Sequence, residues 1–196
     1  MIQSHVILAA GWILYCILHS VFASSTFKRL AQRWMHGHYK FNRLYYTLFA
    51  AVSFVAILIY QVTMSSYKLF IPTTTSLVLG IAIAFFGLAV MCICILKYFM
   101  QLSGLKGLIE NTNTNELMIT GVHKIVRHPL YTGTFMFIWG LLVIFPVASL
   151  LIANTIITIY TLIGLQLEEK KLEQEFGEVY RLYKQKVPMI IPKLTR

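Results

Sequence analysis

Aspartate is absent from this chain, and acidic residues of any kind are scarce. The 196 residues include 17 Lys and Arg but only seven acids, all of them glutamates between Glu110 and Glu178. Without aspartate, phosphoryl transfer or proton pumping through an aspartyl side chain is disfavoured. The chain also lacks a P-loop and a glycine-rich dinucleotide fingerprint. We therefore expect no soluble nucleotide-binding fold.

Cysteine is also rare, with three residues in the whole chain. Cys92 and Cys94 are two positions apart, so on one helix they point to opposite sides. That spacing argues against a disulfide or a shared metal ion, and no Cys/His set has the spacing of a zinc site. We predict that Cys16, Cys92 and Cys94 are small packing residues, and we predict no metal.

The abundant residues are apolar. Hydrophobic residues make up 58% of the chain, charged residues only 12%, and the mean hydropathy is +0.70. The apolar runs are too long for barrel strands and long enough for helices that cross a bilayer. The fold class predicted is an all-α integral membrane protein, a single membrane domain over residues 1–196 with five transmembrane helices. These spans lie near residues 4–23, 44–63, 76–96, 130–145 and 147–166.

The basic residues predict the topology. With five alternating spans, sixteen of the seventeen Lys and Arg residues fall on one side, and Lys68 alone lies opposite. By the positive-inside rule that side is cytoplasmic, which places the N-terminus outside and the C-terminus inside. Because the basic residues flank spans and no recognition motif is present, they indicate contact with anionic lipid of the bilayer and no nucleic acid.

The last two spans predict a polar site. No Lys, Arg, Asp or Glu occurs from His128 to Leu167, forty residues that are followed at once by Glu168 and Glu169. Since one span takes about 20 residues, this stretch forms a C-terminal helical hairpin that turns near Pro146. A hairpin returns to the face it left. We therefore expect Arg127 and His128 to lie beside the two glutamates at one membrane surface.

Two interpretations of this site stay open on local physics. Pro129 suits the first turn of a helix, with His128 as the N-cap and Tyr131 in the first turn, and the helix N-terminus favours an anionic group. Alternatively, Arg127 snorkels and Tyr131 sits in the interfacial aromatic belt. Likewise, one glutamate faces inward to accept hydrogen bonds from a ligand, or both are solvated and pair with Lys170 or Lys171.

His19 is the one further ionisable residue that we single out inside a span. Such residues are functional candidates, but a histidine hydrogen-bonded to a neighbouring helix is the commoner outcome. The spacing of His19 and His128 in the sequence does not indicate that they bind haem.

The C-terminal tail predicts a cytoplasmic amphipathic helix over residues 167–187. Gly177 breaks or caps this helix midway, and Pro188 and Pro192 end it. It lies on the membrane surface, forms a lid over the polar site, or does both. Its apolar stripe comprises Leu165, Leu172, Phe176, Val179, Tyr180, Tyr183 and Val187.

Several elements occur in an order that resembles a known superfamily. They are Leu117–His123, Arg127-His-Pro-Leu-Tyr131, Glu168-Glu-x-x-Leu172, Phe176-Gly-x-x-Tyr180-x-x-Tyr183 and Val187-Pro188. Over residues 115–192 the chain is similar to the isoprenylcysteine carboxyl methyltransferase and phospholipid methyltransferase superfamily. Its N-terminal part resembles a bacterial branch that includes denitrification-associated membrane proteins and methanethiol methyltransferases, which implies the bacterial inner membrane.

The resemblance implies a methyltransferase that binds S-adenosylmethionine in a cytoplasm-facing pocket closed by the C-terminal helix. The implied acceptor is hydrophobic or membrane-resident: a thiol, a carboxylate or a lipid headgroup. No catalytic base is assigned. The implied cofactor-binding residues are Leu117, Met118, His123, Arg127, His128, Tyr131, Glu168 and Glu169.

The chain departs from the superfamily at two places. His123 stands where tyrosine is usual, which replaces a stacking contact with a hydrogen bond. Gly164 and Leu165 stand near the position of a basic residue in the prenylcysteine enzymes, which puts a prenylcysteine carboxylate in doubt as the acceptor. A non-catalytic accessory or transport protein on the same scaffold is the alternative function.

Overall fold

The computed structural model describes residues 1–35, 42–102 and 117–193. Within these ranges the regular structure is helical. A 3-10 turn, Gly121–Lys124, precedes the fifth α-helix. The α-helices are α1 (Ile2–Ala23), α2 (Ser25–Met35), α3 (Asn42–Thr63), α4 (Thr74–Leu102), α5 (Pro129–Ile144) and α6 (Ala148–Lys186).

Four of these helices are long and apolar enough to cross a membrane, namely α1, α3, α4 and α6. The chain is therefore an all-helical protein of the integral membrane type. Helix α5 is apolar but has only 16 residues, about 24 Å of helix against a hydrocarbon core of about 30 Å. The number of five spans thus stays a prediction, as does the single domain.

Helix boundaries differ from the predicted spans in two places. Residues 24–43 were expected to be a linker, but α2 occupies much of this segment. Helix α4 continues past residue 96 to Leu102. The helix expected after the last span is present as the continuation of α6 to Lys186. Lys40, Lys106 and Glu110 lie outside the described residues.

The chain forms two compact units. Unit 1 comprises Met1–Ile71 and Pro146–Tyr160, and unit 2 comprises Pro72–Phe145 and Thr161–Arg196. Helix α6 contributes its first part to unit 1 and its remainder to unit 2.

Unit 1 packs α1 against α3 and the start of α6. Its core cluster is formed by Leu8, Trp12 and Ala153. The Trp12 indole donates a hydrogen bond to the Gln61 side chain at 2.9 Å, so this buried polar pair is satisfied. At one end of the unit, the Leu69 amide donates to the Pro146 carbonyl at 2.7 Å. The predicted turn at Pro146 is confirmed.

Unit 2 contains a close contact between α4 and α5, made possible by glycine. A β-carbon on Gly87 would lie 2.6 Å from the Gly133 carbonyl oxygen, and one on Gly140 would lie 2.6 Å from the Ala84 amide nitrogen. The hydrophobic effect contributes little to the association of apolar helices in lipid. Such helices are commonly held together by van der Waals packing at small residues, which let the two backbones approach closely. This contact holds the start of α5 in place.

The opposite orientation predicted for two cysteines is confirmed. Cys94 is buried and Cys92 is exposed, on opposite sides of α4, and all three cysteines are free thiols. Among the described residues, no group of three or more potential ligands is placed to hold a metal ion.

Candidate functional site

The start of α5 has the predicted form. His128 is the N-cap and Pro129 occupies the first turn. The imidazole Nε2 of His128 lies 3.3 Å from Oε1 of Glu169, and the Arg127 guanidinium Nε donates to the same oxygen at 2.7 Å. All three side chains are buried. The hairpin thus brings its two ends together, which confirms the expectation drawn from the uncharged stretch.

Arg127 does more than pair with one carboxylate. Its guanidinium Nη1 also donates to the carbonyl of Lys184 at 3.1 Å and to that of Val187 at 2.5 Å. Its backbone amide donates to the Pro188 carbonyl at 2.8 Å. The guanidinium therefore joins the start of α5, the middle of α6 and the tail, and the carbonyls at the end of α6 gain a cationic partner.

The tail reverses direction at Gly177. This glycine has φ +55° and ψ −127°, a non-helical conformation inside α6. The Lys184 ammonium lies 2.8 Å from Glu173 and 3.4 Å from Glu169. In a straight helix those residues would be about 16 and 22 Å from Lys184 along the axis. The break predicted at Gly177 is confirmed, and it folds the last helical turns back over the preceding ones.

Further hydrogen bonds fix the residues after the helix. The His128 amide donates to the Met189 carbonyl at 3.1 Å, and the Thr132 hydroxyl donates to the Ile190 carbonyl at 2.8 Å. The Tyr183 hydroxyl donates to the His123 carbonyl at 2.6 Å. The segment beyond α6 is therefore bound across the first turn of α5.

These contacts enclose a cavity of about 330 Å³ within unit 2. That volume is at the lower end of the range of about 300–1,000 Å³ for small-molecule sites. The walls are mostly apolar and aromatic, with a few polar groups. They are Cys94, Leu117, Met118, His123, Arg127, His128, Pro129, Leu130, Tyr131, Glu168, Leu172, Phe176, Tyr180 and Tyr183.

Seven of the eight predicted cofactor-binding residues line this cavity, and Glu169 does not. Glu168 is half-buried on the wall and accepts a hydrogen bond from the Tyr131 hydroxyl at 3.3 Å. Glu169 is buried against Arg127, His128 and Lys184. Adjacent residues on a helix point about 100° apart, so only one of the two glutamates can face the cavity.

Sequence reasoning missed several residues of the site. Cys94 was interpreted as a packing residue, yet it lines the cavity from α4. Lys184 was counted only as a topological charge. The apolar stripe of the tail did carry a signal, since Leu172, Phe176, Tyr180 and Tyr183 all belong to the cavity wall. These positions support the lid interpretation of that stripe.

Burial and charge together tune the buried ionisable groups. Burial raises the pKa of Glu169, but the hydrogen bond and charge of Arg127, aided by His128, outweigh it and hold that pKa below its usual value. Burial lowers the pKa of His128, although Glu168 and Glu169 oppose the change. At neutral pH the centre is therefore a carboxylate, a guanidinium and a neutral imidazole.

Tyr180 carries a buried hydroxyl on the cavity wall. The residue is 1% exposed, and within the described parts of the chain its hydroxyl makes no well-formed hydrogen bond, although Glu169 and Arg127 interact with it. Burial and the nearby Glu169 carboxylate raise the pKa of Tyr180, so the hydroxyl keeps its proton. A buried hydroxyl of this kind is suited to a polar ligand in the cavity.

His19 belongs to unit 1 and takes no part in this cavity. Its ring lies 3.1 Å from the Tyr46 hydroxyl, and it contacts the rings of Tyr15 and Tyr160. This is the outcome in which the histidine is hydrogen-bonded to a neighbouring helix.

Comparison with known protein families identifies the family of this chain. Residues 75–179, more than half of it, match the phospholipid methyltransferase family model. The chain belongs to this family. No solved structure matches it.

Individual relatives are similar over a shorter region. Methanethiol S-methyltransferase of Pseudomonas deceptionensis is 49% identical over 75 residues, which are 38% of this chain and 28% of that protein. The protein of the same name from Crocosphaera subtropica is 47% identical over 70 residues, 36% of this chain and 27% of its own length. Methanethiol S-methyltransferase 1 of Bradyrhizobium diazoefficiens is 42% identical over 71 residues, which are 36% of this chain and 24% of that protein. The chain thus spans only about a quarter of the length of these relatives.

Proposed function

We propose that this protein is an integral-membrane methyltransferase that uses S-adenosylmethionine and methylates a small or membrane-resident thiol. The single observation that carries the proposal is the cavity of unit 2, where a helix N-terminus, a carboxylate and aromatic walls meet. Family membership and the names of the relatives support the reaction type. We further propose that the cavity faces the cytoplasm of a bacterial cell, since this is the side that the basic residues indicate.

The residues present fit the proposed methyl donor. Its amino acid head, ribose diol, adenine and sulfonium are complementary to polar and aromatic groups on the wall. The helix N-terminus at His128 and Pro129 favours a carboxylate. Glu168 offers carboxylate oxygens to hydroxyl groups or a cation. The buried Tyr180 hydroxyl is a further polar group on the wall.

The chemistry needs little from the protein beyond positioning and exclusion of water. When bound, the donor would supply an electrophilic methyl group from its sulfonium sulfur to the acceptor's thiolate, which would have lost its proton to water before it entered the cavity. Tyr131 orients Glu168 through its hydrogen bond. The folded-back tail brings Tyr180 and Tyr183 over the cavity, which shields it from water. We assign no general base.

The neutral residues at the end of the last span favour a thiol over a carboxylate acceptor. Leu165 is 1% exposed, and Gly164 precedes it. These two residues stand near the position where the resemblance places a basic residue in the enzymes that act on prenylcysteine carboxylates. The counter-charge expected for a prenylcysteine carboxylate is therefore missing at that position.

The test is transfer of a labelled methyl group. Purified protein is supplied with methyl-labelled S-adenosylmethionine and methanethiol, and labelled dimethyl sulfide is measured in the headspace. Glu168→Gln should reduce the product strongly, whereas Glu178→Gln, which removes an exposed carboxylate from the same helix, should not. If the folded protein labels neither this thiol nor larger thiols, or labels only membrane lipids, the proposal is overturned.

A further inference from the structure

A second cavity lies in unit 1, distinct in its residues from the one described above. Its volume is about 460 Å³, within the range typical of small-molecule sites. Its eight lining side chains are all apolar or aromatic. They are Phe22, Phe27, Leu30, Ala31, Trp34, Tyr45, Tyr46 and Phe49. None is a carboxylate, imidazole or amine, so the cavity is suited to holding an apolar chain and not to reacting with it.

The position of this cavity follows from the turn after α1. Helix α1 ends at Ala23, and Ser24 adopts an extended conformation. The Ser24 hydroxyl then accepts a hydrogen bond from the Phe27 amide at 3.1 Å, which starts α2. The rings of Phe22 and Phe27 are 4.8 Å apart, so α2 packs against the end of the span. The cavity therefore lies where the first candidate span leaves the hydrocarbon.

Helix α2 has the composition of an interfacial helix. Its residues at spacings of three, four and seven, namely Phe27, Leu30, Ala31 and Trp34, form the face that lines the cavity. Trp34 is 79% exposed and Leu30 is 49% exposed, although both are large and apolar. Helices that lie in the membrane interface have such a face, with Lys and Arg on the other side.

The charges around this face are all of one sign. Each residue of a helix advances by about 100°, so Lys28 and Arg33 flank the apolar face on its two sides and Arg29 projects away from it. All three side chains are exposed. The sequence holds no acidic residue before Glu110. The counter-charge for this cluster must therefore come from outside Met1–Ile71.

We propose that this cavity binds one acyl chain of an anionic phospholipid, whose phosphate lies between Lys28 and Arg33. An apolar cavity open at the level of the interface suits the chain, and flanking cations suit the headgroup. The lipid is a resident ligand of unit 1. The site is independent of the methyl donor site, because it shares no residue with the cavity of unit 2.

The experiment uses quenching of Trp34 fluorescence by phospholipids with brominated acyl chains. The full chain is placed in phosphatidylcholine vesicles that contain a minor fraction of brominated phosphatidylglycerol, or of brominated phosphatidylcholine. The signal of Trp34→Phe is subtracted to isolate Trp34. We expect quenching to saturate at a lower fraction of the anionic lipid than of the zwitterionic lipid.

Two matched variants decide where the headgroup lies. Arg33→Gln should weaken the preference for the anionic lipid by roughly fivefold, while Lys68→Gln, which removes an exposed positive charge from unit 1 near the start of α1, should leave it unchanged. Equal losses in both variants would show diffuse attraction to the surface and overturn the site. Equal quenching by both lipids, or no quenching of Trp34, would also overturn it. Circular dichroism confirms that each variant keeps its helices.

Discussion

The buried ion pair between Arg127 and Glu169 yields the sharpest prediction, through the substitution Glu169→Gln. The side chains of Arg127 and Glu169 are 6% and 5% exposed, and their distances are those of a close, charge-assisted pair. Removal of one partner from a buried pair costs about 3–5 kcal/mol, because the other charge stays buried without compensation. In addition, glutamine keeps only one oxygen and no charge, so either His128 at Oε1 or Lys184 at Oε2 faces an amide nitrogen in place of its acceptor.

That loss of free energy should be large in a thermal melt. For a chain of this size, about 1 kcal/mol corresponds to a shift of about 2–4 °C in the melting temperature. We therefore expect Glu169→Gln to melt about 6–20 °C below the wild type in detergent. The tail should also be released, since its carbonyls are bound by the same guanidinium, and trypsin should cut faster after Lys184 and Lys186.

The control is Glu178→Gln, the same substitution on the same helix. Glu178 pairs with Arg181 at 3.6 Å, and both side chains are more than half exposed. An exposed pair of this kind is worth about 0–1 kcal/mol, so this variant should melt close to the wild type. If the two variants melted together and were cut at equal rates, the account of the tail would be refuted.

Three further predictions concern the helix contact, the cavity wall and pH. Gly140→Ala should destabilise the protein by about 1–3 kcal/mol, because its β-carbon meets the α4 backbone; Gly164→Ala, which meets nothing within 4 Å, should be neutral or slightly stabilising in the same melt. Tyr131→Phe removes the hydrogen bond to Glu168 and should weaken binding of the methyl donor roughly fivefold in calorimetry; unchanged affinity would show that Tyr131 does not position Glu168 for the donor. Because the folded state lowers the pKa of His128, stability is complete above the unfolded value of about 6.5 and should fall as the pH drops below it; the slope should flatten in His128→Gln, and an equal slope would contradict this origin.

Local signals made some of this structure predictable. A helix start, a helix break and a membrane span can each be predicted from neighbouring residues alone. The features that did so here are Pro129 after His128, Gly177 in the tail and the four long apolar runs. The uncharged stretch from His128 to Leu167 added a long-range constraint, since a hairpin must return. For this reason the proximity of His128 and the two glutamates could be inferred before the structure was known.

Other features left no signal of that kind. The tail is held through the carbonyls of Val187, Pro188 and Met189, and every residue has a carbonyl. The choice of Glu168 for the cavity wall and Glu169 for the ion pair depends on the rotation of α6, which packing sets. Helix α2 is short, and its pattern was hidden in a segment interpreted as a basic linker. The lipid-binding role proposed for α2 depends on the cavity next to its apolar face, which only the structure shows.

Equilibrium binding of S-adenosylmethionine to the purified protein tests the central claim most directly. We expect one saturable site per chain by calorimetry, with affinity lost in Glu168→Ala and retained in Glu178→Ala. Folded protein that shows no saturable binding, or a Glu168→Ala variant that binds as well as the wild type, would contradict the assignment of the cavity in unit 2.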